Sequence, residues 1–166
     1  GSNQGTVKYA YNTGSVSGET DVGGVAGVNY GISATATNCY FDSTVYTGNA
    51  IGTDSGTATD VEGKTPEQFA SGEVAYLLNG DRPEQVWGQT IDTDAYPVLG
   101  GTKVYHGYTS CADAEKVYTN DPNASAEKPA HSTGAVGDKA ATCISRAYCS
   151  VCESDYGEVD TTNHDS

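Results

Sequence analysis

Along residues 3 to about 60 the apolar positions come in short groups. Val7, Tyr9 and Tyr11 alternate with polar neighbours; Val16 follows, then Val22, Val25 and Val28, then Cys39 with Phe41, then Val45, each group bounded by Gly, Asn, Asp or Ser. Alternation at a period of two, punctuated by turn residues, predicts short strands. The densest run, from Val22 to Gly31, alternates small or β-branched residues with glycine, which suits a strand that ends in a sharp corner. Aligning Tyr9-Ala10-Tyr11 with Asn38-Cys39-Tyr40 also brings Val22-Gly23 onto Ile51-Gly52, a shared offset of about 29 residues that lies in the range of solenoid coils. Tyr11 and Tyr40 are therefore expected on neighbouring coils. Two coils are visible, fewer than the three or so that a solenoid needs to bury its own faces, so the segment that follows is expected to cap the open end of a longer array.

The period changes at Thr65. Thr65-Pro66-Glu67-Gln68 offers an N-cap hydroxyl, a proline at the first helical position and a Gln three residues after the cap, and it predicts a helix over 66–78. Phe69, Ala70, Val74, Leu77 and Leu78 form its apolar stripe, Gly72 weakens its middle, and Asn79-Gly80 ends it. Trp87, Ile91, Tyr96, Val98 and Leu99 follow in an irregular stretch that closes in a strand, and Val104 to Tyr108 predicts one more. Trp87 is assigned to packing, with a sugar-stacking platform as its functional alternative. From Asp121 to Pro129 two prolines among Asn, Ser and Ala lack periodicity and predict a linker. The organisation is thus read as coils over 3–64, a helix-containing cap over 65–120, a linker over 121–130 and a Cys/His-rich tail over 131–166.

Several of these residues carry a resemblance. Gly5-Thr6-Val7, Tyr11-Asn12-Thr13-Gly14-Ser15-Val16-Ser17-Gly18, Val22-Gly23-Gly24-Val25-Ala26-Gly27 and Asn38-Cys39-Tyr40-Phe41 resemble the glycine-rich GLUG motif of bacterial surface proteins, which also occurs in segments of some immunoglobulin-A-cleaving metallopeptidases. Val25-Ala26 stands where that family has Leu-Val or Leu-Ala, and Ala10 where it has Cys. GLUG arrays often close with a helix, a Trp and a Tyr-Pro-Val-Leu segment, matched here by Thr65 to Asn79, Trp87 and Tyr96-Pro97-Val98-Leu99. The resemblance implies an extracellular segment of a bacterial cell-surface or secreted protein. With the strand pattern, it gives the expected fold: mainly β, with short β-solenoid (parallel β-helix-like) coils, one capping α-helix and a small Cys/His-rich β tail.

Composition sharpens this picture. Hydrophobic residues are 36% of 166, with Gly 21, Tyr 12 and no Met, too few for a large globular core but enough for the narrow one of a solenoid. Eight basic against 22 acidic residues give a net charge of −14, which argues against nucleic acid and anionic membrane surfaces as partners. No apolar stretch approaches the roughly 20 residues of a membrane span. The opening Gly1-Ser2, in place of Met, reads as the scar of an excised, monomeric fragment.

The tail carries the candidate chemistry. Five residues separate Cys143 from Cys149, two separate Cys149 from Cys152, and eleven lie both between His131 and Cys143 and between Cys152 and His164. Three thiols and an imidazole are compatible with one structural Zn²⁺ held by Cys143, Cys149, Cys152 and either His164 or His131. The alternative is no metal and two disulfides, with Cys111 paired to a tail thiol and Cys39 buried in a coil. The segment resembles short repeats of exported bacterial proteins in which Thr-Cys precedes Cys-x-x-Cys between histidines; those repeats have Gly where this chain has Glu153, a residue less suited to the left-handed turn of a zinc knuckle. The apolar residues Ala140, Ala141, Ile144, Ala147, Tyr148, Val151 and Tyr156 are too few to fold the tail without a cross-link or metal.

Other motifs are sparse. His106 has no nucleophile motif near it, Asp42, Asp54, Asp60, Asp92 and Asp94 form no calcium loop, and no phosphate-binding glycine loop, Gly-x-Ser-x-Gly or His-Glu-x-x-His occurs. The expectation is a non-catalytic spacer or adhesin-type module whose partner is a host or cell-surface protein or glycan. The alternatives are a carbohydrate-binding module using exposed Tyr and Trp, or an accessory region of a large secreted hydrolase.

Overall fold

A computed structural model describes residues 1–164 and divides the chain after Val104 into two compact units. The first unit is built from parallel strands, in agreement with a mainly β fold. β1 (Ser2–Asn3), β3 (Ala26–Asn29) and β5 (Ile51–Asp54) pair in that order in one sheet; β2 (Thr6–Asn12), β4 (Thr35–Asp42) and β6 (Thr57–Lys64) pair in that order in a second. The chain thus runs three times through the same two-strand path, once more than the sequence pattern indicated.

The register of the second sheet follows the alignment. Tyr11 lies beside Tyr40 and Ala10 beside Cys39, the predicted offset of 29. In the first sheet the alignment fails: Ile51 pairs with Ala26 instead of Val22. The reason is the shorter return to the first sheet, where 43–50 separate β4 from β5 while 13–25 separate β2 from β3; the middle tier also has a longer corner, 30–34 between β3 and β4 against 55–56 between β5 and β6. The longer corner carries Tyr30 and Ile32, 62% and 97% exposed, and turns at Gly31 with φ +97°.

Each tier bends at one place. Tyr9, Asn38 and Asp60 occupy successive positions in the register, each skipped by the pairing, and have φ of +58°, +50° and +54°. A left-handed residue inside a strand breaks the alternation of faces. Ala36 and Cys39 are both buried in consequence, although an uninterrupted strand would point residues three apart to opposite sides. Phe41, also buried, lies against Gly24 and Gly63, and a Cβ on Gly24 would clash with its ring. At one corner Asn3 Nδ2 donates to Asn29 Oδ1 (2.8 Å), and Asn29 Nδ2 donates to Asp54 Oδ1 (2.9 Å), which satisfies the fully buried Asn29.

The capping box forms as expected. Gln68 N donates to Thr65 Oγ1 and Thr65 N to Gln68 Oε1 (3.3 and 3.0 Å). The single helix expected over 66–78 is instead two, α1 (Pro66–Ala70) and α2 (Glu73–Leu77), because Gly72 adopts φ +89° and separates them. Nor does this segment sit over the end of the strands. Phe69, Val74 and Leu78 form a core cluster with Tyr40, joined by Tyr11, Leu77 and Trp87, so the helices lie along β2 and β4, while Ala58 and Thr59 of the last tier are exposed. Lys64, at the end of β6, donates to Glu73 (2.8 Å), and the buried Gln89 amide donates to the Phe69, Ala70 and Asp94 carbonyls. Trp87 Nε1 donates to the Tyr9 carbonyl (3.0 Å), and the indole meets Tyr11 edge-on, consistent with its packing role. The short antiparallel pair β7 (Trp87–Gly88) and β8 (Val98–Leu99) completes the unit.

The second unit contains two antiparallel hairpins: β9 (Tyr105–Gly107) with β10 (Val117–Thr119), and β11 (Ala147–Cys149) with β12 (Ser154–Tyr156). The stretch read as a linker lies within this unit, where Ser125 bridges Tyr108.

The contact between Gly24 and Phe41 yields a test. Gly24→Ala is expected to destabilise the first unit by about 1–3 kcal/mol through overpacking, whereas Gly5→Ala, where nothing lies within 4 Å of the new methyl, should change stability by less than about 0.5 kcal/mol. Urea unfolding followed by Trp87 fluorescence measures both; equal effects would remove the role assigned to the Gly24 contact.

Candidate metal centre

Cys111 sits in the turn between β9 and β10. The Asp113 carboxylate closes that turn, accepting from Thr109 N (2.7 Å), Ser110 N (2.9 Å) and the Thr109 hydroxyl (3.0 Å), which holds its pKa below the ordinary carboxylate value. The turn between β11 and β12 carries Cys149-Ser150-Val151-Cys152-Glu153. Glu153 adopts φ +54°, so the left-handed turn forms despite the missing glycine, with a strain that glycine would avoid.

These turns and the segment around His131 bring Cys111, His131, Cys149 and Cys152 together, with one ligand atom from each and all four within 4.8 Å of one another. Cys111 and Cys149 are buried, His131 and Cys152 partly so. The sulfurs of Cys111 and Cys149 are 3.6 Å apart, and His131 Nδ1 is 3.2 Å from the Cys152 sulfur. The sulfur separation is well beyond a disulfide bond of about 2.05 Å. It is close to the roughly 3.7 Å between two thiolates held at about 2.3 Å in tetrahedral geometry. All five cysteines are free, so proximity of Cys111 to a tail thiol is realised without a bond. The group could hold a metal ion.

The protein around the centre supports the thiolate form of Cys149. Burial raises its pKa, but hydrogen bonds from the backbone N–H groups of Cys152, Val151 and Ser132 outweigh burial and bring the thiol down to about 6. Cys152 is shifted upward by burial and by its proximity to Cys149 and Cys111. The His131 ring stacks on Tyr156 with centroids 4.4 Å apart, and the Tyr156 hydroxyl donates to the Ser132 carbonyl (3.2 Å).

One carboxylate joins the two sides of the site. Asp138 accepts from Ser150 N and Oγ (2.8 Å each), between the two ligand cysteines, and from Ser132 Oγ (2.9 Å), Gly134 N and Ala135 N (2.8 Å each), just beyond His131. Donors from Ser150, Gly134 and Ser132 hold the Asp138 carboxyl far below the ordinary carboxylate range.

Of the residues that sequence spacing nominated, His131, Cys149 and Cys152 meet. Cys143 and His164 lie outside the group: Cys143 is half-buried in a turn closed by Thr142 and Ser145, its N–H donating to the Asn163 carbonyl (3.0 Å), and His164 is exposed. Cys111 takes the position given to Cys143. Spacing rules weigh near neighbours in sequence, and Cys111 reaches the site only through the β9–β10 turn. His106 instead stacks on Tyr118 with centroids 4.4 Å apart. Among the described residues this is the one group of three or more His, Cys, Asp or Glu side chains arranged to hold an ion, so the aspartates weighed for calcium are not gathered.

No protein-family model, curated protein or solved structure matches the chain.

Asp138 gives a prediction with a defined pH range. Asp138→Asn should weaken metal binding about 10–100-fold, as loss of an outer-shell partner does. Because its folded pKa is depressed, the carboxylate contributes fully above its unfolded value of 3.8 and loses that contribution only as pH falls through the lower folded value. The deficit should therefore stay constant between about pH 5 and 8. Competition with a chromophoric chelator measures it; a deficit that varied across that range would assign the effect to another group.

Proposed function

We propose that the chain is a non-catalytic structural module of an exported bacterial surface protein: a three-tier parallel β-solenoid with a helix pair along its flank, followed by a unit clipped by one Zn²⁺. The observation that carries this reading is the left-handed bend at Tyr9, Asn38 and Asp60, repeated at one register position in three parallel tiers. A repeated bend in parallel tiers is how a solenoid keeps its coils superimposable. The Asn3–Asn29–Asp54 ladder and the GLUG-like glycines against Phe41 agree with it. The module serves as a spacer, and the corner bearing exposed Tyr30 and Ile32 gives it a contact point of adhesin type toward a host or cell-surface protein.

Zinc is the metal this donor set favours, because three thiolates and one imidazole in a compact group match its tetrahedral preference. Its chemistry is structural: four protein ligands complete the coordination and leave no open position for a substrate. The extracellular assignment rests on the resemblance to GLUG-motif proteins and to exported Cys-x-x-Cys repeats.

Two measurements test the proposal. A spacer built on stacked tiers should resist proteolysis from Thr6 to Lys64 in the native full chain; rapid cleavage inside that span would reject it. Elemental analysis of protein purified without chelator should find one equivalent of zinc in the wild type and in Cys143→Ser, and a large loss in Cys111→Ser. Equal retention in the two variants would remove Cys111 from the ligand set, and zinc below about a tenth of an equivalent in wild type with cysteines that react only after reduction would replace the metal with disulfides.

A further inference from the structure

The repeated bend creates a second feature, on the first unit and separate from the metal centre. Where β2, β4 and β6 turn, the end of α2 and the turn after it enclose a cleft of about 360 Å³ lined by Tyr9, Thr37, Asn38, Asp60, Tyr76 and Asp81. We infer that this cleft binds an uncharged pyranose ring.

Asp42, Asp54, Asp94 and Asp113 each close a local turn by accepting backbone N–H groups. Asp60 and Asp81, like the exposed Asp92 and Asp155, accept no hydrogen bond or ion pair from the described residues, and of these four it is Asp60 and Asp81 that line this cleft. Arg82, which follows Asp81, is already engaged: it donates to the Leu78 and Asn79 carbonyls (2.8 and 3.1 Å) and lies 4.0 Å over the Tyr9 ring. The cleft therefore presents two carboxylates as acceptors, the Thr37 hydroxyl as donor or acceptor, and the Asn38 amide, held in place by its bond to the Leu77 carbonyl (3.2 Å).

Such groups match the ring hydroxyls of a sugar, which donate to carboxylates and exchange both roles with amides and hydroxyls. A pyranose also has an apolar C–H face that packs on an aromatic ring. Tyr76, 40% exposed, supplies that ring from α2, and Tyr9, with Arg82 over its ring, lines the cleft at the bend. Tyr9 is the one bulky residue among the three left-handed bend positions, where Asn38 and Asp60 are of the types that tolerate that conformation. The volume lies in the range of small-molecule sites. The two carboxylates and the net charge of −14 exclude acidic sugars.

The test uses the full chain: a glycan array carrying neutral and sialylated glycans, followed by titration with methyl glycosides of the hits, read by amide NMR shifts. The expected result is binding of neutral glycans, shifts confined to the bend and to 76–81, and at least a tenfold loss of affinity in Tyr76→Ala and in Asp60→Ala. Absence of any neutral hit, hits confined to sialylated glycans, or unchanged affinity in both folded variants overturns the inference. The same shifts produced by calcium alone, without glycan, would make the cleft a cation site and overturn it too. Should either variant lose its folded spectrum, Asp81→Asn, on the exposed turn, carries the same expectation. The metal centre lies in other residues, so a negative result here leaves the zinc reading standing.

Discussion

The first unit depends on a single constraint of backbone geometry, a left-handed residue inserted at the same register position in every tier. In a continuous strand, alternate side chains face one way, and the middle tier could not bury Ala36 and Cys39 together while turning Tyr40 toward the helices. The bend at Asn38 resets the alternation. Because Tyr9 and Asp60 make the same bend, the tiers remain parallel and hydrogen-bonded on both sides of it. Everything outside the strands builds on that arrangement: the Trp87 indole donates to the carbonyl of the bend residue Tyr9, and the Asn38 side chain donates to the C-terminal turn of α2. The helices are too short to be stable alone, and their order comes from packing on Tyr11 and Tyr40.

The second unit meets the same requirement for order with little apolar material. Val136 and Ile144 are exposed, and the buried interior includes Cys111 and Cys149. The hairpins β9–β10 and β11–β12 have strands of three residues each, too short for independent stability. What joins them is the group of sulfurs and imidazole, with Asp138 fixing the segments that carry His131 and Cys149. A metal at that point would convert three weakly held segments into one cross-linked body, since binding free energy becomes folding free energy where the site does not pre-exist in the unfolded chain.

The strand pattern, the register between Tyr11 and Tyr40, the capping box and three of the four gathered Cys/His residues were legible in the sequence, each because it is a local or strictly periodic signal. The third tier was hidden because its period is shorter: Thr35 pairs with Thr57, an offset of 22 where the preceding pair has 29. The shorter return from β4 to β5 and the middle tier's longer corner together account for that irregularity, and no composition rule reveals where such segments fall. The break at Gly72 was legible as a weak point but not as a left-handed turn, since glycine permits that conformation without requiring it. Cys111 was legible as a thiol, yet its place beside Cys149 depends on a turn closed by Asp113, which spacing within the tail does not encode.

The two outer tiers of the first unit differ in a way that bears on how the stack ends. The helices lie on its flank, so neither end is covered by them, and the edge strands must manage their own unpaired groups. On the last tier β6 presents Thr57, Ala58, Thr59, Asp60 and Glu62 to solvent, and charge along an edge opposes the addition of another strand. The side-chain ladder stops there as well. Asn29 both accepts from Asn3 and donates to Asp54, whereas a carboxylate can accept but cannot donate onward. On the first tier Asn3 occupies the equivalent position with an amide. Polarity therefore marks the edge of the last tier, while the first tier keeps the amide that the middle tier uses to join its neighbours.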